Sequence, residues 1–348
     1  MNDTQNKRSQ MVSCLFPKGI PGLWCPPIVH YDENGKPDQE RSRKHLNRLV
    51  PSVHTFLLSG STGDGWELSG EEKKELFDFY MDQAKELPFQ MLIGVLEPEK
   101  GAAAVKIKEW AEYLKRRAGT NAPVDAMRKC HVCGFTVCAP RGAERTQREI
   151  RDELEKILML DYPTVIYQLP QITENEISPE TTAFLAENYP NFYMFKDTSG
   201  TDQVKRSEKS YGNVFFVRGA EGDYKRWSRF SGGCYDGFLL SSANTFGDEL
   251  LTVLHALQEG RTEEAEAVSS MVSGIIGDVF ETLQSLEGGN VFANANKCID
   301  HILAYGKHWE TYKGPMRHCG MRIPEEYLKK TYDILERAGK VPEKGYCE

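Results

Sequence analysis

From about Leu23 onward, short apolar runs rich in Val, Ile, Leu and Phe alternate with longer segments of helical period, and this alternation constrains the fold more than any other feature. A strand, then a helix, then another strand implies parallel pairing, because antiparallel neighbours need no more than a short turn. The runs that read as strands are Gly22 to Cys25, Thr55 to Ser59, Met91 to Val95, Gly134 to Cys138, Thr164 to Tyr167, Phe192 to Lys196, Val214 to Arg218 and Gly237 to Leu240. Several are apolar at nearly every position, as required when both faces of a strand are covered. Eight strands with intervening helices predict a (β/α)8 barrel. An open doubly wound sheet is the rival, but its Gly-x-Gly-x-x-Gly fingerprint is absent. Between the strands, Ser69 to Glu86 reads as a helix with Ser69 as N-cap and Glu72 completing a capping box, and Gly101 to Arg117 and Arg148 to Leu160 behave similarly.

Residues 1–14 form a polar N-terminal segment, 15–242 the barrel, and 243–348 a helical region with periods at Glu249 to Gln258, Thr262 to Leu286 and Glu325 to Ala338. Ala118 to His131, rich in turn-forming residues, reads as a looped insertion before the fourth strand. With 43 Lys+Arg against 51 Asp+Glu, the 348-residue chain carries a net charge of −8, which disfavours non-specific binding to nucleic acid or to an anionic membrane. No apolar run approaches the length of a membrane span and Met1 to Gln10 is polar, so the chain is expected in the cytoplasm. Nine cysteines, an odd number without clustering, point to reduced thiols. Cys130-His131-Val132-Cys133 has zinc-like spacing but no second pair, and the histidines form no ligand motif, so no metal is expected.

Lys196 ends the run Phe192-Tyr193-Met194-Phe195-Lys196, which places an amine at the C-terminal edge of a strand otherwise fit for burial. Desolvation disfavours the charged form, so the lysine pKa is expected to fall from about 10.4 toward neutrality, freeing a nucleophile for carbonyl carbon. A strand-end lysine taken alone more often points to solvent. Two neighbours favour the chemical role. Tyr167 closes Thr164-Val165-Ile166 at the same edge one strand earlier, where a phenol can shuttle protons. Gly60-Ser61-Thr62-Gly63-Asp64-Gly65 directly follows the second strand, and its converging N–H groups and hydroxyls suit a carboxylate. It lacks the Lys-Ser/Thr ending of a Walker loop.

In order along the chain, Gly60-Ser61-Thr62-Gly63-Asp64, Leu68-Ser69, Glu72, Tyr167-Gln168-Leu169-Pro170 and Phe195-Lys196-Asp197-Thr198-Ser199-Gly200 resemble the signatures of the dihydrodipicolinate synthase/N-acetylneuraminate lyase superfamily of class I aldolases. Asp32-Glu33-Asn34-Gly35, Gly232-Gly233, Asp236-Gly237 and Ala243-Asn244 extend the resemblance over about residues 15 to 340. It implies an α/β (β/α)8 TIM barrel with a C-terminal helical extension, a homo-oligomer (dimer or tetramer), and a Schiff base with pyruvate or another 2-oxo acid, without metal or nucleotide cofactor. Position by position, it implies that Lys196 forms the imine, that Tyr167 relays protons, and that Ser61 joins them in the catalytic set. Gly60, Ser61 and Thr62 would hold the substrate carboxylate, and Gly219 would offer a backbone contact beside the lysine.

The sequence also departs from the family pattern. Pro140-Arg141-Gly142-Ala143 stands where the synthases carry Pro-Tyr-Tyr, and Ile172 stands where dihydrodipicolinate synthase has an arginine that grips its second substrate. Arg141 is a candidate replacement cation, and Trp66 a candidate lining residue or packed aromatic. The expectation is a metal-independent class I lyase, aldolase or dehydratase acting on a small 2-oxo acid, with sugar acids among the candidates. Two alternatives stay open: dihydrodipicolinate synthase proper, and a barrel that binds a 2-oxo acid without turnover as a sensor or scaffold.

Overall fold

The computed structural model describes residues 2–348. Eight strands succeed one another: β1 (Leu23–Trp24), β2 (Thr55–Leu58), β3 (Gln90–Val95), β4 (Val132–Cys138), β5 (Thr164–Gln168), β6 (Phe192–Asp197), β7 (Phe215–Arg218) and β8 (Gly237–Leu239). Each expected strand is present, its ends moved by a residue or two. In the sheet they follow the order β1-β8-β7-β6-β5-β4-β3-β2. A parallel bridge from Cys25 to Phe56 joins the two ends of that order, which is the closed (β/α)8 sheet that the alternation predicts. Additional helices follow β8.

Two compact units make up the chain. The first takes the residues up to Gly22, 90–220 and 234–239, and so contains β3 to β8. Its strands are buried almost throughout, which explains their near-continuous apolar sequence. The register sets Tyr167 of β5 opposite Lys196 of β6, and Asp197 of β6 opposite Arg218 of β7.

Much of the polar N-terminal segment is a helix, Asp3–Leu15, capped reciprocally by Asn2 and Gln5. Its Arg8 is fully buried. The guanidinium donates to the carbonyls of Phe192, Ala186 and Tyr189 and to Asn213 Oδ1. Burial lowers its pKa to about 10. The stretch 118–131, expected as a loop, instead contains a short helix, Pro123–Lys129, with Pro123 in its first turn and Ala126 and Met127 buried. Two buried residues in seven are too few to register as a helical period.

The second unit takes residues 23–89, 221–233 and 240–348, with β1, β2 and the C-terminal helices. Helix Gly70–Gln83 opens with the expected capping box: Ser69 Oγ accepts the Glu72 N–H, and the Glu72 carboxylate accepts the Ser69 N–H at 2.8 Å. Helices Ala243–Gln258, Thr262–Leu283 and Glu325–Arg337 match the predicted periods. A further helix, Val291–Tyr305, was not expected: its apolar stripe of Ala295, Cys298, Ile299 and Ile302 is masked by the polar residues buried beside it, Asn294, Asn296, Lys297, Asp300 and His301. Among the described residues, no helix is long and apolar enough to cross a membrane.

Asp300 is the electrostatic centre of this helix. Arg41 and the Tyr346 hydroxyl donate to its two oxygens. Burial pushes its carboxyl up, but Arg41, His45 and His30 outweigh that effect and hold it below the usual range. His301 is neutral: its Nε2–H donates to the Trp309 carbonyl at 3.2 Å, and burial, the dominant effect, lowers its pKa to about 4.

A folded-state pKa below the unfolded value means that the unfolded chain takes up a proton first as the pH falls. Stability from His301 is therefore present above about pH 6.5 and lost progressively as the pH drops through about 4. The loss is expected to reach roughly 3 kcal/mol. His301→Gln should flatten the fall in unfolding midpoint between neutral pH and about pH 4, as read by urea titration. An unaltered pH profile in that variant would remove His301 from the acid sensitivity.

Candidate active site

Lys196 lies one residue from the end of β6 and is 4% exposed, while Tyr167 on β5 is 3% exposed. Parallel pairing brings the two side chains together, with Lys196 Nζ 3.9 Å from the centroid of the Tyr167 ring. The amine thus sits over the face of the phenol, against its negative quadrupole when protonated. Among the described residues no carboxylate lies within ion-pair distance of it. A buried primary amine without a carboxylate counter-ion, packed on a phenol, has the composition of a carbonyl-addition site.

Gly219, immediately after β7, completes this cluster. Its N–H donates to the Asp197 carbonyl at 2.6 Å. A Cβ here would lie 2.3 Å from Thr198 Cγ2 and 2.8 Å from Lys196 Cε, so the space beside the lysine exists because residue 219 has no side chain.

Behind this cluster lies a buried network that the sequence reading missed. Arg218 Nε donates to Asp202 Oδ1 at 3.0 Å and its other nitrogens reach Asp202 Oδ2 and the Ala220 carbonyl. The Tyr235 hydroxyl lies 2.6 Å from Asp202 and 3.1 Å from Asp197. Ser199 donates from both its N–H and its hydroxyl to Asp197 Oδ1. Burial is the main reason that the Asp197 carboxyl is shifted up from its ordinary value, with Asp202 adding to the rise. The network fixes the residues that directly follow Lys196 and precede Gly219. The local signal for it was the pair of acidic residues, Asp197 and Asp202, just past an apolar strand.

Arg141 and Ile172 are also together: Arg141 Nε donates to the Ile172 carbonyl at 3.1 Å. The loops that carry them are tied by Asn175, whose amide donates to the Pro140 and Gly142 carbonyls, and by the Gly142 N–H on the Thr173 carbonyl. Cys130 and Cys133 are buried, their sulfurs near the carbonyls of Leu114 and Met91. Burial pushes the Cys133 thiol up to about 12. Among the described residues no three His, Cys, Asp or Glu side chains gather where they could hold a metal.

In the second unit, Gly60 precedes a single 3₁₀ turn, Ser61–Gly63, with Thr62 buried. Trp66 Nε1 donates to Ser61 Oγ at 2.9 Å, so this tryptophan supports the loop. A Cβ on Gly63 would lie 2.7 Å from the Pro27 carbonyl oxygen, and one on Gly65 1.9 Å from that of Ser59. Asp64, at φ +50°, closes the turn, and its Oδ2 accepts from the Tyr31 hydroxyl at 2.9 Å and from Lys297 Nζ at 2.8 Å. Neither Tyr31 nor Lys297 was found by sequence reasoning, because each is remote along the chain from the turn it holds.

Fold and site together define a (β/α)8 barrel with a buried strand-end lysine packed on a tyrosine. A protein-family model described as the dihydrodipicolinate synthetase family matches residues 127–287. N-acetylneuraminate lyase from Clostridium perfringens is 24% identical over 261 residues, covering 74% of this chain and 83% of the relative. 4-Hydroxy-tetrahydrodipicolinate synthase from Porphyromonas gingivalis is 24% identical over 251 residues, covering 71% and 78%. Among solved structures, dihydrodipicolinate synthase from Aquifex aeolicus gives a TM-score of 0.68 at 18% identity over 93% of this chain and 100% of that one. A prophage protein of the dihydrodipicolinic acid synthase family from E. coli K12, in complex with pyruvate, gives 0.69 at 18% identity over 91% and 98%. The chain is thus similar in sequence to the dihydrodipicolinate synthase/N-acetylneuraminate lyase family, and shares the fold of its solved members.

Gly219→Ala tests the packing beside the lysine. The added methyl must displace Thr198 or Lys196, at an expected cost of about 1–3 kcal/mol by chemical denaturation. Unchanged stability would show that these neighbours move freely.

Proposed function

We propose that the protein is a class I lyase or aldolase that forms a Schiff base between Lys196 and pyruvate or a related 2-oxo acid. The observation that carries this reading is the buried Lys196 amine over the Tyr167 ring, without a carboxylate partner. The deprotonated amine adds to the C2 carbonyl, giving a carbinolamine whose hydroxyl leaves as water once protonated. The resulting iminium accepts the electron pair released when a bond at the neighbouring carbons breaks, and returns it when one forms. Tyr167 supplies and removes the protons. The lysine itself is the electron sink, so this chemistry calls for no metal or nucleotide.

Support also comes from relatives named as lyase and synthase, and from the pyruvate complex of a structural relative. On this reading the hydroxyls of Ser61 and Thr62, with the Gly60 loop, donate to the substrate carboxylate, and the enzyme works as a homo-oligomer. Borohydride reduction in the presence of pyruvate and a panel of 2-oxo acids should trap an adduct that peptide mapping places on Lys196. Absence of an adduct at Lys196 with every member of the panel would overturn the class I mechanism and, with retained affinity for one of them, would favour a non-catalytic binding role.

Dihydrodipicolinate synthesis proper is the second reading, favoured by the synthases among the relatives. Ile172 presents no charge to a second carboxylate, so aspartate semialdehyde is expected to be a poor substrate. The missing charge-assisted contact should lower kcat/KM by roughly ten- to a hundredfold. Efficient condensation by the native protein and equally by Arg141→Ala would reverse this exclusion. Efficient condensation lost in Arg141→Ala would make that arginine the carboxylate-gripping group.

A further inference from the structure

A cavity of about 350 Å³ lies wholly within the second unit, walled by the segment around Val29 to Asp38, by Arg41, by helix Val291–Tyr305 and by residues 312–322. None of the residues proposed for imine chemistry lines it. Its size is that of a small-molecule site.

The buried part of its lining is polar, Lys297, Asp300, His30 and His301, with Arg41 largely covered beside them, while the carboxylates of Asp32, Glu33 and Asp38 lie in the outer lining. Lys297 has three N–H donors, of which one is taken, by Asp64 Oδ2. Arg41 has five, and its hydrogen bonds among the described residues go to Tyr346 and Asp300. Each oxygen of Asp300 already accepts one hydrogen bond, from Arg41 and from the Tyr346 hydroxyl, and can accept about one more, fewer than the remaining N–H groups of Lys297 and Arg41. Donors therefore exceed acceptors at the buried end, and buried donors are normally matched. His30 and His301 add no charge to this surface, since burial, with Arg41 assisting and Asp300 opposing, holds both below the ordinary imidazole value. At the open end Arg322 adds a second guanidinium, partly held by Glu33 and the Gly314 carbonyl. Tyr305 and Tyr312, stacked at 3.8 Å, form one wall.

We infer that this cavity is a second binding site, for a small ligand that carries an oxyanion, with Lys297 and Arg41 gripping the anionic oxygens and Arg322 guarding the mouth. A phosphate ester and a hydroxylated carboxylic acid share this chemistry. Lys297 also holds Asp64, the residue that closes the Ser61–Gly63 turn. An occupant that shares Lys297 is thus felt at that turn. This coupling, unlike the site itself, rests on the reading of Ser61 and Thr62 as carboxylate donors.

Isothermal titration calorimetry on the full chain with inorganic phosphate and, separately, gluconate tests the site. Binding of either probe, weakened about ten- to a hundredfold by Lys297→Gln or by Arg322→Ala, supports it, and the probe that binds assigns the ligand source. Lys297→Gln changes a buried partner of Asp64, so Arg322→Ala, at the open mouth, carries the test if that variant does not fold. Absence of heat with both probes, or binding unchanged in the variants that fold, overturns the proposal. Calorimetry needs no turnover and borohydride trapping at Lys196 needs no cavity, so this proposal and the class I reading fail separately. A saturating probe should also shift the KM for the 2-oxo acid by about twofold or more. An unmoved KM with demonstrated binding would overturn the coupling.

Discussion

Parallel pairing of β5 with β6, in the register that sets Tyr167 beside Lys196, is the constraint on which the candidate site depends. Side chains alternate along a strand, so a slip of one residue would turn Lys196 to the other face and present Phe195 or Asp197 in its place. Several contacts oppose that slip. Thr198 donates from its N–H and its hydroxyl to the Gln168 carbonyl, which locks the strand ends just beyond the pair. On the other side the Gly219 N–H meets the Asp197 carbonyl, and Asp197, Tyr235, Asp202 and Arg218 form one buried network. A buried ion pair such as Arg218–Asp202 is weak evidence for stability, since desolvation offsets much of its attraction. Its better-attested use is in specifying one arrangement against others, and its position directly behind Lys196 and Gly219 suits that use.

How much of this was legible follows from where each residue's partners lie. The strands were readable because both faces are buried, so the sequence of β4 or β6 is apolar almost without interruption. Lys196 and Tyr167 stood out as polar ends of such runs, and parallel pairing of consecutive strands made them neighbours without further information. Tyr235 and Arg218 had no such mark. Tyr235 lies 33 residues from Asp202 and 38 from Asp197, and nothing local distinguishes it from a packed aromatic. The helix Pro123–Lys129 was missed for a related reason, since a seven-residue helix with two buried positions leaves no period to detect.

The second unit shows the opposite relation between burial and hydropathy. Helix Val291–Tyr305 is largely buried, yet its inward positions include Asn, Lys, Asp and His, so its narrow stripe of Ala295, Cys298, Ile299 and Ile302 is obscured where a core helix exists. These groups are tolerable there because their partners come from elsewhere: Arg41 and Tyr346 for Asp300, Asp64 for Lys297, the Trp309 carbonyl for His301. Lys297 and Asp64 are 233 residues apart, which places their pairing beyond any local reading. Polar groups of this kind are matched by the tertiary structure alone, and the sequence pattern of the helix is what remains when those matches are removed.

The two halves of the proposed chemistry are held with different strictness. Lys196 and Tyr167 are fixed by strand register and buried, whereas Arg141 is exposed on a loop, joined to the Ile172 segment by a few side-chain and backbone hydrogen bonds. Loop residues positioned by a rigid scaffold can change without disturbing the strands beneath them. Imine formation at the lysine could therefore be shared with both lyases and synthases while the group received at Arg141 and Ile172 differs. A lyase and a synthase are equally similar to this chain, each at 24% identity. Overall identity reports the scaffold that both reactions use, so the choice between them rests on the few side chains, Arg141 and Ile172 first, that would meet the second substrate.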